Sequence, residues 1–477
     1  MDLTLKACLF KRKRLLRWSC IPIGLEEILT LRSEIVGVLE RNHVYWLLYG
    51  LFILGFFVSP SVRWHNNFYY ALIIPLYLIS LRKGKFQIFF HSKIWLLSML
   101  LALYFFLTVF WAQNPGEEGV LYYLRRPVYL FVFLSLTMEL VLRYPKFVDH
   151  LFVFVAWVGT IMAVISIFCF YASASFPAAR LVHFADQLHG EIEGGIIHGM
   201  IALVIYFYIL KRVGGYWKAL YFIFMGILLG AALLSQSRGP VGSLLIAFFA
   251  GALITRDKKL LISFGCAMVI IIALFLNVEP FQKAVTQRGW SARIELGQKI
   301  LARADNSIYF GKGISTNNDF VISSGKKLPH THNVYLGALL YGGIAGLLLF
   351  LGLLALAFLQ ALKHFYISGD IVWFLLILFA AACIVTGQDK LLTHPNSMWL
   401  FFWLPLGLVA GVLCRAENGE IPVHAGFSRQ NGGGSTTSLI LTKNPGFRSG
   451  TNYLYNSRSL MYFKNFEKLE LMEMTKP

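Results

Sequence analysis

Apolar runs of about twenty residues, roughly the length needed to cross a bilayer, recur along the chain from residue 44 to residue 414. Such runs can span lipid only as helices, because each backbone N–H and C=O must find a partner inside its own segment. We therefore predict an all-α polytopic membrane protein with about twelve transmembrane helices. The predicted spans are 44–60, 68–81, 94–111, 124–142, 149–172, 195–210, 217–236, 239–255, 260–277, 333–360, 371–387 and 398–414.

Lysine and arginine residues set the predicted orientation, because loops rich in them stay in the cytoplasm. Residues 1–43 form a basic leader without a small-residue cleavage site, and every second loop after it is short and basic. Clear examples are Arg82-Lys83, Lys211-Arg212 and Lys258-Lys259. These loops and both termini are predicted to be cytoplasmic, in an uncleaved protein of the cytoplasmic membrane.

The same pattern divides the chain into five parts. They are a basic cytoplasmic segment 1–43, transmembrane helices 1–9 in 44–277, a long non-cytoplasmic loop 278–332, helices 10–12 in 333–414, and a cytoplasmic tail 415–477. The tail contains a Gly/Ser-rich stretch and is predicted to be mostly disordered.

The long loop is predicted to contain a membrane-surface helix. Residues 284–303 bring Trp290, Ile294 and Leu301 near one helical face, with basic residues among them. We expect this helix to pack over the bundle. Turns are predicted after it, at Gly311, Gly313 and Pro329.

The amino-acid composition is typical of a membrane protein, and it narrows the classes of ligand that we expect. The chain is 57% hydrophobic and 14% charged, whereas soluble domains are about half apolar and about a quarter charged. A net charge of +19 would suggest nucleic acid in a soluble protein, but no aromatic-basic motif accompanies it, so we expect no nucleic acid and instead an anionic ligand. The 6 cysteines are scattered without a CxxC pair, which argues against a disulfide framework or a zinc site.

Arginines on the predicted non-cytoplasmic side contradict the topology bias and need a reason. They are Arg125, Arg126, Arg180, Arg238, Arg288 and Arg293. Arg238 lies in a tight turn between two spans, where its planar guanidinium could make a bidentate contact with phosphate. The alternatives are a snorkelling Arg238 bonded to helix-end carbonyls and an exposed Arg293 on an amphipathic face.

Histidines supply the candidate proton acceptor. His332 stands where the long loop enters an apolar helix, so it could exchange protons with water and still face a sheltered cavity. The glycines that follow would let another helix approach closely. Taken by itself, a histidine at this position is more often a polar cap than a base, and Asp319 or Asp389 could orient it. The remaining candidates, His183, His189 and His198, are interpreted as interfacial histidines rather than as a metal cluster.

These residues resemble a known family. His332-Asn333, nine residues, and then Gly343-Ile344-Ala345-Gly346 resemble the signature of bacterial O-antigen ligases, which form a superfamily with O-antigen polymerases and protein O-oligosaccharyltransferases. Ser237-Arg238-Gly239 resembles a second element of the family, and Ser291-Ala292-Arg293 followed by Phe310-Gly311-Lys312-Gly313 is similar to its loop pattern. The resemblance covers roughly 94–414. It departs at Glu295-Leu296, where a tryptophan often follows the loop arginine.

The resemblance implies a reaction and its substrates. The donor would be O-antigen on undecaprenyl pyrophosphate, and the acceptor a sugar hydroxyl of lipid A–core. Transfer would occur on the periplasmic face of the inner membrane without a metal or another cofactor. His332 would be the base, and Arg238 and Arg293 would be the catalytic arginines that hold the pyrophosphate. A single base opposite a charged leaving group fits inversion. The expected substrate-binding residues are Arg125, Arg126, Arg288, His198 and Asn333.

Alternative functions stay open at this point. An O-antigen polymerase would use the same donor twice, and a protein O-oligosaccharyltransferase would use a protein acceptor. A non-enzymatic alternative is a transporter for lipid-linked sugars, which would also use intramembrane arginines. Transporters usually show two related halves with broken helices, and the sequence shows no such repeat.

Overall fold

The computed structural model describes residues 44–81, 83–113, 115, 117–277, 291–304, 307–317, 320–321, 327–328, 331–387 and 390–417. The basic leader 1–43 and all but the first residues of the predicted tail lie outside the described residues. So do Arg288, Trp290, Asp319, Pro329 and Asp389. Arg293 lies in a described helix, but its side chain is outside the description.

Helices make up about four fifths of the described chain. They are α1 (Val44–Val58), α2 (Val62–Phe68, continued by a π-helical turn Tyr69–Ile73 and by Ile74–Ser80), α3 (Lys83–His91), α4 (Lys93–Leu107), α5 (Val120–Arg143), α6 (Phe147–Tyr171), α7 (Glu191–Val204, with a π-helical turn Ile205–Ile209), α8 (Gly215–Leu234), α9 (Arg238–Thr255), α10 (Lys258–Asn277), α11 (Ser291–Ala304), α12 (Val334–Ser368), α13 (Val372–Cys383) and α14 (Leu404–Glu417, preceded by a π-helical turn Trp399–Trp403). Two short strands, β1 (Phe320–Val321) and β2 (Lys327–Leu328), pair antiparallel in the long loop.

Every predicted span overlaps a helix of the structure, and the chain is an all-α polytopic membrane protein. Among the described residues, 7 helical stretches are long and apolar enough to cross a membrane. They are Lys93–Trp111, Phe147–Tyr171, Glu191–Ile209, Gly215–Leu234, Arg238–Thr255, Val334–Ser368 and Trp399–Ala416. Val44–Val58 and Val372–Cys383 are shorter apolar helices. The number of spans, about twelve, stays a prediction.

Two boundaries differ from the prediction in ways that affect the site. The predicted span 371–387 ends earlier, because α13 stops at Cys383 and residues 384–386 form a turn. The predicted span 333–360 is longer, because α12 continues to Ser368 and closes there with Gly369 at φ 77°. A short helix, α3, occupies a region where only a basic loop was predicted.

Hydrogen bonds between helix ends define two ends of the bundle. At one end, which we call the histidine end because His332 lies there, the N–H of Val334 donates to the carbonyl of Ile384 at 3.0 Å. At the same end, the N–H of Leu181 donates to the carbonyl of Leu234 at 2.9 Å. Helices α6, α8 and α13 therefore finish at the end where α12 begins.

The opposite end is held by basic side chains. Arg212 Nη2 pairs with Asp370 Oδ2 at 2.7 Å, and Arg415 Nη1 donates to the carbonyl of Pro145 at 2.9 Å. The ring of Trp46, in the first turn of α1, lies 6.4 Å from the ring of His150, in the first turn of α6. The first turn of α1 and the last turns of α14 therefore lie at the opposite end, while the location of the two termini stays a prediction.

The core of the bundle is aromatic. Trp399, Phe52, Phe133 and Tyr69 are buried, and the rings of Phe133 and Trp399 lie 4.8 Å apart. The N-terminal helices α1, α2 and α5 thus pack directly against the segment that precedes α14. This packing fixes the loops at the histidine end on a rigid base.

The surface helix of the long loop is present, but its packing face was predicted wrongly. Helix α11 buries Leu296, Ile300 and Ala304, which are spaced by one helical turn. Ile294 and Leu301, expected on the packed face, are 57% and 52% exposed. The reason is that an apolar stripe next to a membrane can face lipid as well as protein, so periodicity alone does not identify the side that packs on protein.

Candidate functional site

Arg238 is the first residue of α9 and follows a turn that its neighbours hold in place. The turn includes Gln236 at φ 48°, and the side chain of Gln236 donates to the carbonyl of Pro177 at 2.8 Å. Arg180 Nε donates to the carbonyl of Ser235 at 3.1 Å. The loop between α6 and α7 therefore covers the turn, and Arg238, which is partly buried, starts the helix from a fixed position.

His332 lies at the boundary between the long loop and α12, as predicted. Asn333 is the N-cap of this helix, because its Oδ1 accepts from the N–H groups of Tyr335 and Leu336 at 2.9 and 3.1 Å. The hydroxyl of Thr331 donates to the carbonyl of Asn333 at 3.0 Å. His332 itself is partly buried and has φ 50°, in the left-handed region that non-glycine residues rarely adopt.

His332 is one of a few non-glycine residues with a left-handed backbone conformation. Among the described residues, the non-glycine residues with positive φ are Gln236, Arg256 and His332. Arg256 forms the C-cap of α9, where a left-handed residue is common. Gln236 lies two residues before Arg238, and His332 is itself a predicted site residue. Backbone strain of this kind concentrates at functional sites.

One short turn connects the two candidate segments. Residues 384–386 follow α13, and the carbonyl of Ile384 accepts the hydrogen bond from Val334, two residues after His332. The side chain of Thr386 packs against Gly239, so closely that a Cβ at Gly239 would collide with its hydroxyl. Arg238-Gly239 and His332 therefore lie on either side of the same turn, at the same end of the bundle.

Helix α11, which carries Arg293, packs against the start of α12. A Cβ at Gly297 would lie 3.7 Å from Leu336 Cδ1, so the middle of α11 rests on the first turn of α12. Arg293 precedes Gly297 by about one helical turn, which is about 6 Å along the helix. The location of Arg293 near His332 stays a prediction.

The glycine-rich part of the signature interrupts α12. Gly343 has φ 65° and ψ −166°, a conformation open only to glycine, and it kinks the helix. The break frees the carbonyls of Leu340 and Tyr341, which accept from the N–H groups of Lys312 and Gly313 at 2.8 and 2.9 Å. It follows that the kink is the docking place of the loop after α11.

The kink also leaves backbone N–H groups of α12 without acceptors in their own helix, and the same loop supplies the acceptors. The N–H groups of Ile344 and Ala345 donate to the carbonyls of Ile308 and Tyr309 at 2.7 and 3.1 Å. Gly311 and Gly313, predicted as turn residues, have φ 72° and 88°. The loop and the broken helix therefore exchange hydrogen bonds in both directions, which fixes α11 relative to α12.

The predicted close approach of another helix is confirmed at the same glycines. A Cβ at Gly342 would lie 2.9 Å from the ring of Phe105, and one at Gly346 would lie 3.0 Å from the ring of Tyr104. Tyr104 also donates its hydroxyl to the carbonyl of Gly342 at 2.5 Å. Helix α4 thus packs against α12 where side chains are absent.

The interpretation of His198 and His183 as interfacial histidines is wrong. Both are 2% exposed, with ring centroids 5.5 Å apart. His183 Nδ1 accepts from the N–H of Ala185 at 3.0 Å, and burial lowers the pKa of His183 to about 4, with His189 as a lesser cause. His198 is covered because the loop between α6 and α7 folds over the bundle instead of extending into water. His189 is exposed, as an interfacial residue would be.

Arg125 and Arg126 lie in the second turn of α5 at the histidine end. Arg125 is exposed, whereas Arg126 is buried and its Nη1 donates to the carbonyl of Leu392 at 3.0 Å. Their expected contact with substrate stays a prediction, as does that of Asn333, whose Oδ1 serves the helix cap. Within the described residues, no group of three or more His, Cys, Asp and Glu side chains could hold a metal ion.

Sequence reasoning missed Lys390 and Thr386. Lys390 Nζ donates to the carbonyl of Ile314 at 3.2 Å and lies 4.9 Å from the centroid of the Tyr341 ring. It therefore adds positive charge between the docked loop and the turn 384–386. No sequence signal for Thr386 exists, because its contact with Gly239 joins two segments that are far apart in the chain.

This part of the chain is similar to known proteins. The profile of a family described as O-antigen ligase matches residues 220–351, a range that contains Arg238, Arg293 and His332. The chain is also 25% identical over 362 residues to an O-antigen ligase of Pseudomonas aeruginosa, covering 74% of this chain and 86% of that protein. Both comparisons support the O-antigen ligase family for this chain. The resemblance stated from the sequence motifs is thereby confirmed, and the family and the apolar helices together identify a bacterial membrane protein.

Proposed function

We propose that this protein is an O-antigen ligase, which transfers O-antigen from undecaprenyl pyrophosphate to a sugar hydroxyl of lipid A–core. The observation that carries the proposal is the turn 384–386, which contacts Gly239 on one side and Val334 on the other. A cationic group and a proton acceptor beside one turn suit the transfer of a sugar from a diphosphate to an alcohol.

The donor's leaving group needs positive charge. When the glycosyl–phosphate bond breaks, the electron pair stays with the pyrophosphate, and fixed cations stabilise that developing charge. Arg238 would supply it bidentately, and as the first residue of α9 it stands where the helix dipole also attracts anions. Arg293, on α11, would hold the same diphosphate from the other side of the site.

The acceptor needs a base. In the proposed step its hydroxyl oxygen attacks the anomeric carbon, the bond to the pyrophosphate oxygen breaks, and the hydroxyl proton passes to a ring nitrogen of His332. Histidine is suited to this role because its ordinary pKa of about 6.5 leaves it largely neutral at pH 7. A single displacement opposite the leaving group gives inversion at the anomeric carbon, since retention would ordinarily require a nucleophilic carboxylate.

The remaining predicted binding residues would have different roles. His198 is buried one helical turn from Gly195, which packs against Ser235, so it would support the Arg238 turn from beneath. Arg125, Arg126 and Arg288 would attract anionic parts of the substrates. The amide of Asn333 would contact substrate only through its nitrogen, because its oxygen caps α12.

The proposed orientation follows from the charges at the opposite end of the bundle. Basic residues at that end are Arg143, Lys146, Arg212, Arg256, Lys363 and Arg415. The positive-inside rule would put them in the cytoplasm with both termini. The histidine end would then face the periplasm from the inner membrane, where both lipid-linked substrates are exposed.

The test is transfer by the purified full chain in detergent, with lipid-linked O-antigen and lipid A–core that lacks O-antigen. We expect a joined product, at an unchanged rate when a chelator is added, because arginines supply the charge. A product that grows only by adding repeats to the donor would favour the polymerase, and glycosylation of an added protein would favour the protein transferase. Uptake of donor lipid into vesicles without any joining in detergent would favour the transporter.

A further inference from the structure

Arg126 is a buried cation that makes no ion pair with any residue that the structure describes. The residue is 7% exposed, and its guanidinium carbon lies 4.6 Å from the ring centroid of Tyr122 and 4.7 Å from that of Tyr123. Nη1 donates to the carbonyl of Leu392, while the buried Nε has no hydrogen-bond partner. A buried charge left unpaired is strongly destabilising, so such a residue near a membrane surface calls for a functional explanation.

Aromatic side chains surround this arginine. Tyr70 and His394 share a hydrogen bond of 2.7 Å between the hydroxyl and Nδ1, and the rings of Tyr122 and His394 lie 5.3 Å apart. Tyr70, Tyr122 and His394 are partly exposed, so their rings are accessible from the end of the bundle. We call Tyr70, Tyr122, Tyr123, Arg126 and His394 the aromatic–arginine cluster.

A second buried polar atom without a partner adjoins the cluster. Thr393 Oγ1, between Leu392 and His394 in the chain, is buried and makes no hydrogen bond. Buried polar groups nearly always find a partner, and a bound ligand is one explanation for an exception. Glu118, an acidic residue close to the cluster, already accepts a hydrogen bond of 2.8 Å from the hydroxyl of Tyr123.

Electrostatics around the cluster favour an anion. Burial lowers the pKa of His394, and Arg126 and Arg125 lower it further by charge repulsion, while Glu118 partly offsets them. His394 thus stays neutral at pH 7, and the net positive charge belongs to the arginines. Arg125 is exposed at the mouth of the cluster and would draw an anion toward Arg126.

The cluster is connected to the candidate site but made by other helices. It is built by α2, α5 and the residues before α14, whereas the candidate site is built by α9, α12 and the turn after α13. Thr386 contacts the site and Leu392 binds Arg126, and the six residues from one to the other span at most about 22 Å. Two places for anions on different helices fit two substrates that each carry an anionic group.

We propose that the aromatic–arginine cluster binds the acceptor through a phosphorylated saccharide: Tyr122 and Tyr70 stack on sugar rings, and Arg126 binds a phosphate. This assignment rests on the proposed function, which already places a diphosphate at Arg238. Aromatic faces suit the C–H faces of sugars, and a guanidinium suits phosphate oxygens, so together they recognise this one class of ligand. Arg126 Nε and Thr393 Oγ1 would then gain the partners that they lack.

The test measures binding, without requiring transfer, by the purified full chain in detergent. The probes are lipid A–core without O-antigen, the same lipid after phosphatase treatment, and undecaprenyl pyrophosphate. We expect Arg126→Gln and Tyr122→Leu to weaken binding of the phosphorylated acceptor at least about tenfold and to leave undecaprenyl pyrophosphate binding unchanged. Phosphatase treatment should weaken wild-type binding by about the same factor as Arg126→Gln.

Matched variants separate chemistry from folding. Tyr122→Phe keeps the ring and should bind like wild type, and so should Arg63→Gln, which removes an exposed arginine from α2. If Arg126→Gln is unstable, Tyr122→Leu against Tyr122→Phe decides alone. Equal loss of donor and acceptor binding, or undiminished acceptor binding in both variants, overturns the proposal. Acceptor binding that depends on Arg126 in a protein that transfers nothing would instead refute the proposed function.

Discussion

The backbone N–H of Val334 donates a hydrogen bond of 3.0 Å to the carbonyl of Ile384. This bond ties the start of α12 to the turn after α13, and Thr386, two residues further on, packs against Gly239 at the start of α9. Three segments that are distant in the chain thereby converge where Arg238 and His332 stand. The proposed chemistry depends on this convergence more than on any one residue.

Changing Gly239 tests whether the turn 384–386 positions Arg238. In Gly239→Ala the added methyl group would collide with the side chain of Thr386 and push the start of α9 away. Small displacements of a charge-binding group cost much rate, so we expect transfer to fall by on the order of 100-fold. Gly242→Ala is the control, because a Cβ there meets nothing within 4 Å. It should keep full activity and stabilise the helix by up to about 1 kcal/mol.

Gly343→Ala tests the docking of the loop on α12. The backbone conformation of Gly343 would cost an alanine about 1–3 kcal/mol. The added methyl group would also collide with the backbone of Tyr309. We expect a lower thermal midpoint in detergent and a large loss of transfer, since α11 carries Arg293. Gly352→Ala, in the same helix with only an ordinary contact of 3.9 Å to Leu97, should be neutral or stabilising. Equal midpoints for the two variants would contradict the role given to the kink.

Replacing Arg238 by lysine tests the geometry of phosphate binding. Lysine keeps the charge but loses the planar pair of donors, so Arg238→Lys should lower transfer nearly as much as Arg238→Ala. The measurement is kcat/KM for the donor with acceptor in excess. Arg256→Lys makes the same exchange at the exposed far end of α9 and should leave the rate unchanged. Wild-type activity in Arg238→Lys would mean that a point charge is sufficient.

His183 predicts a dependence of stability on pH. Its pKa is about 4 in the folded protein, against about 6.5 for an unfolded histidine. Between these values the unfolded chain binds a proton that the folded chain does not, so stability falls as pH falls through this window. The free energy of unfolding falls by about 3 kcal/mol in total, and this loss is complete below about pH 4. Thermal midpoints in detergent from pH 8 to pH 4 should decline less steeply in His183→Gln than in wild type, and parallel curves would contradict the assignment.

The sequence predicted the helices well because a bilayer permits little else for long apolar runs. It predicted the position of His332 for a related reason, since Asn333 is a good helix cap and the apolar run begins immediately after it. The packed face of α11 could not be predicted, because Ile294 and Leu301 face outward as apolar residues beside lipid can. Where both lipid and protein are apolar, the hydrophobicity of a side chain does not indicate which of the two it faces.

The contacts between distant segments that build the site also could not be predicted from the sequence. Nothing in the chain indicates that Thr386 meets Gly239, or that His183 and His198 are buried side by side under a folded loop. The paired residues Arg125 and Arg126 look equivalent in the sequence, yet only Arg126 is buried. One helical step of 100° separates their side chains, and that difference decides which one the neighbouring tyrosines enclose.

The most direct test of the central claim is the single-turnover rate of transfer by His332→Asn. Asparagine tolerates the left-handed backbone at this position and keeps the residue polar, but it cannot accept the acceptor's proton. We predict a rate at least about 100-fold below wild type, with undecaprenyl pyrophosphate binding and the thermal midpoint unchanged. Transfer at the wild-type rate in this variant would contradict the account.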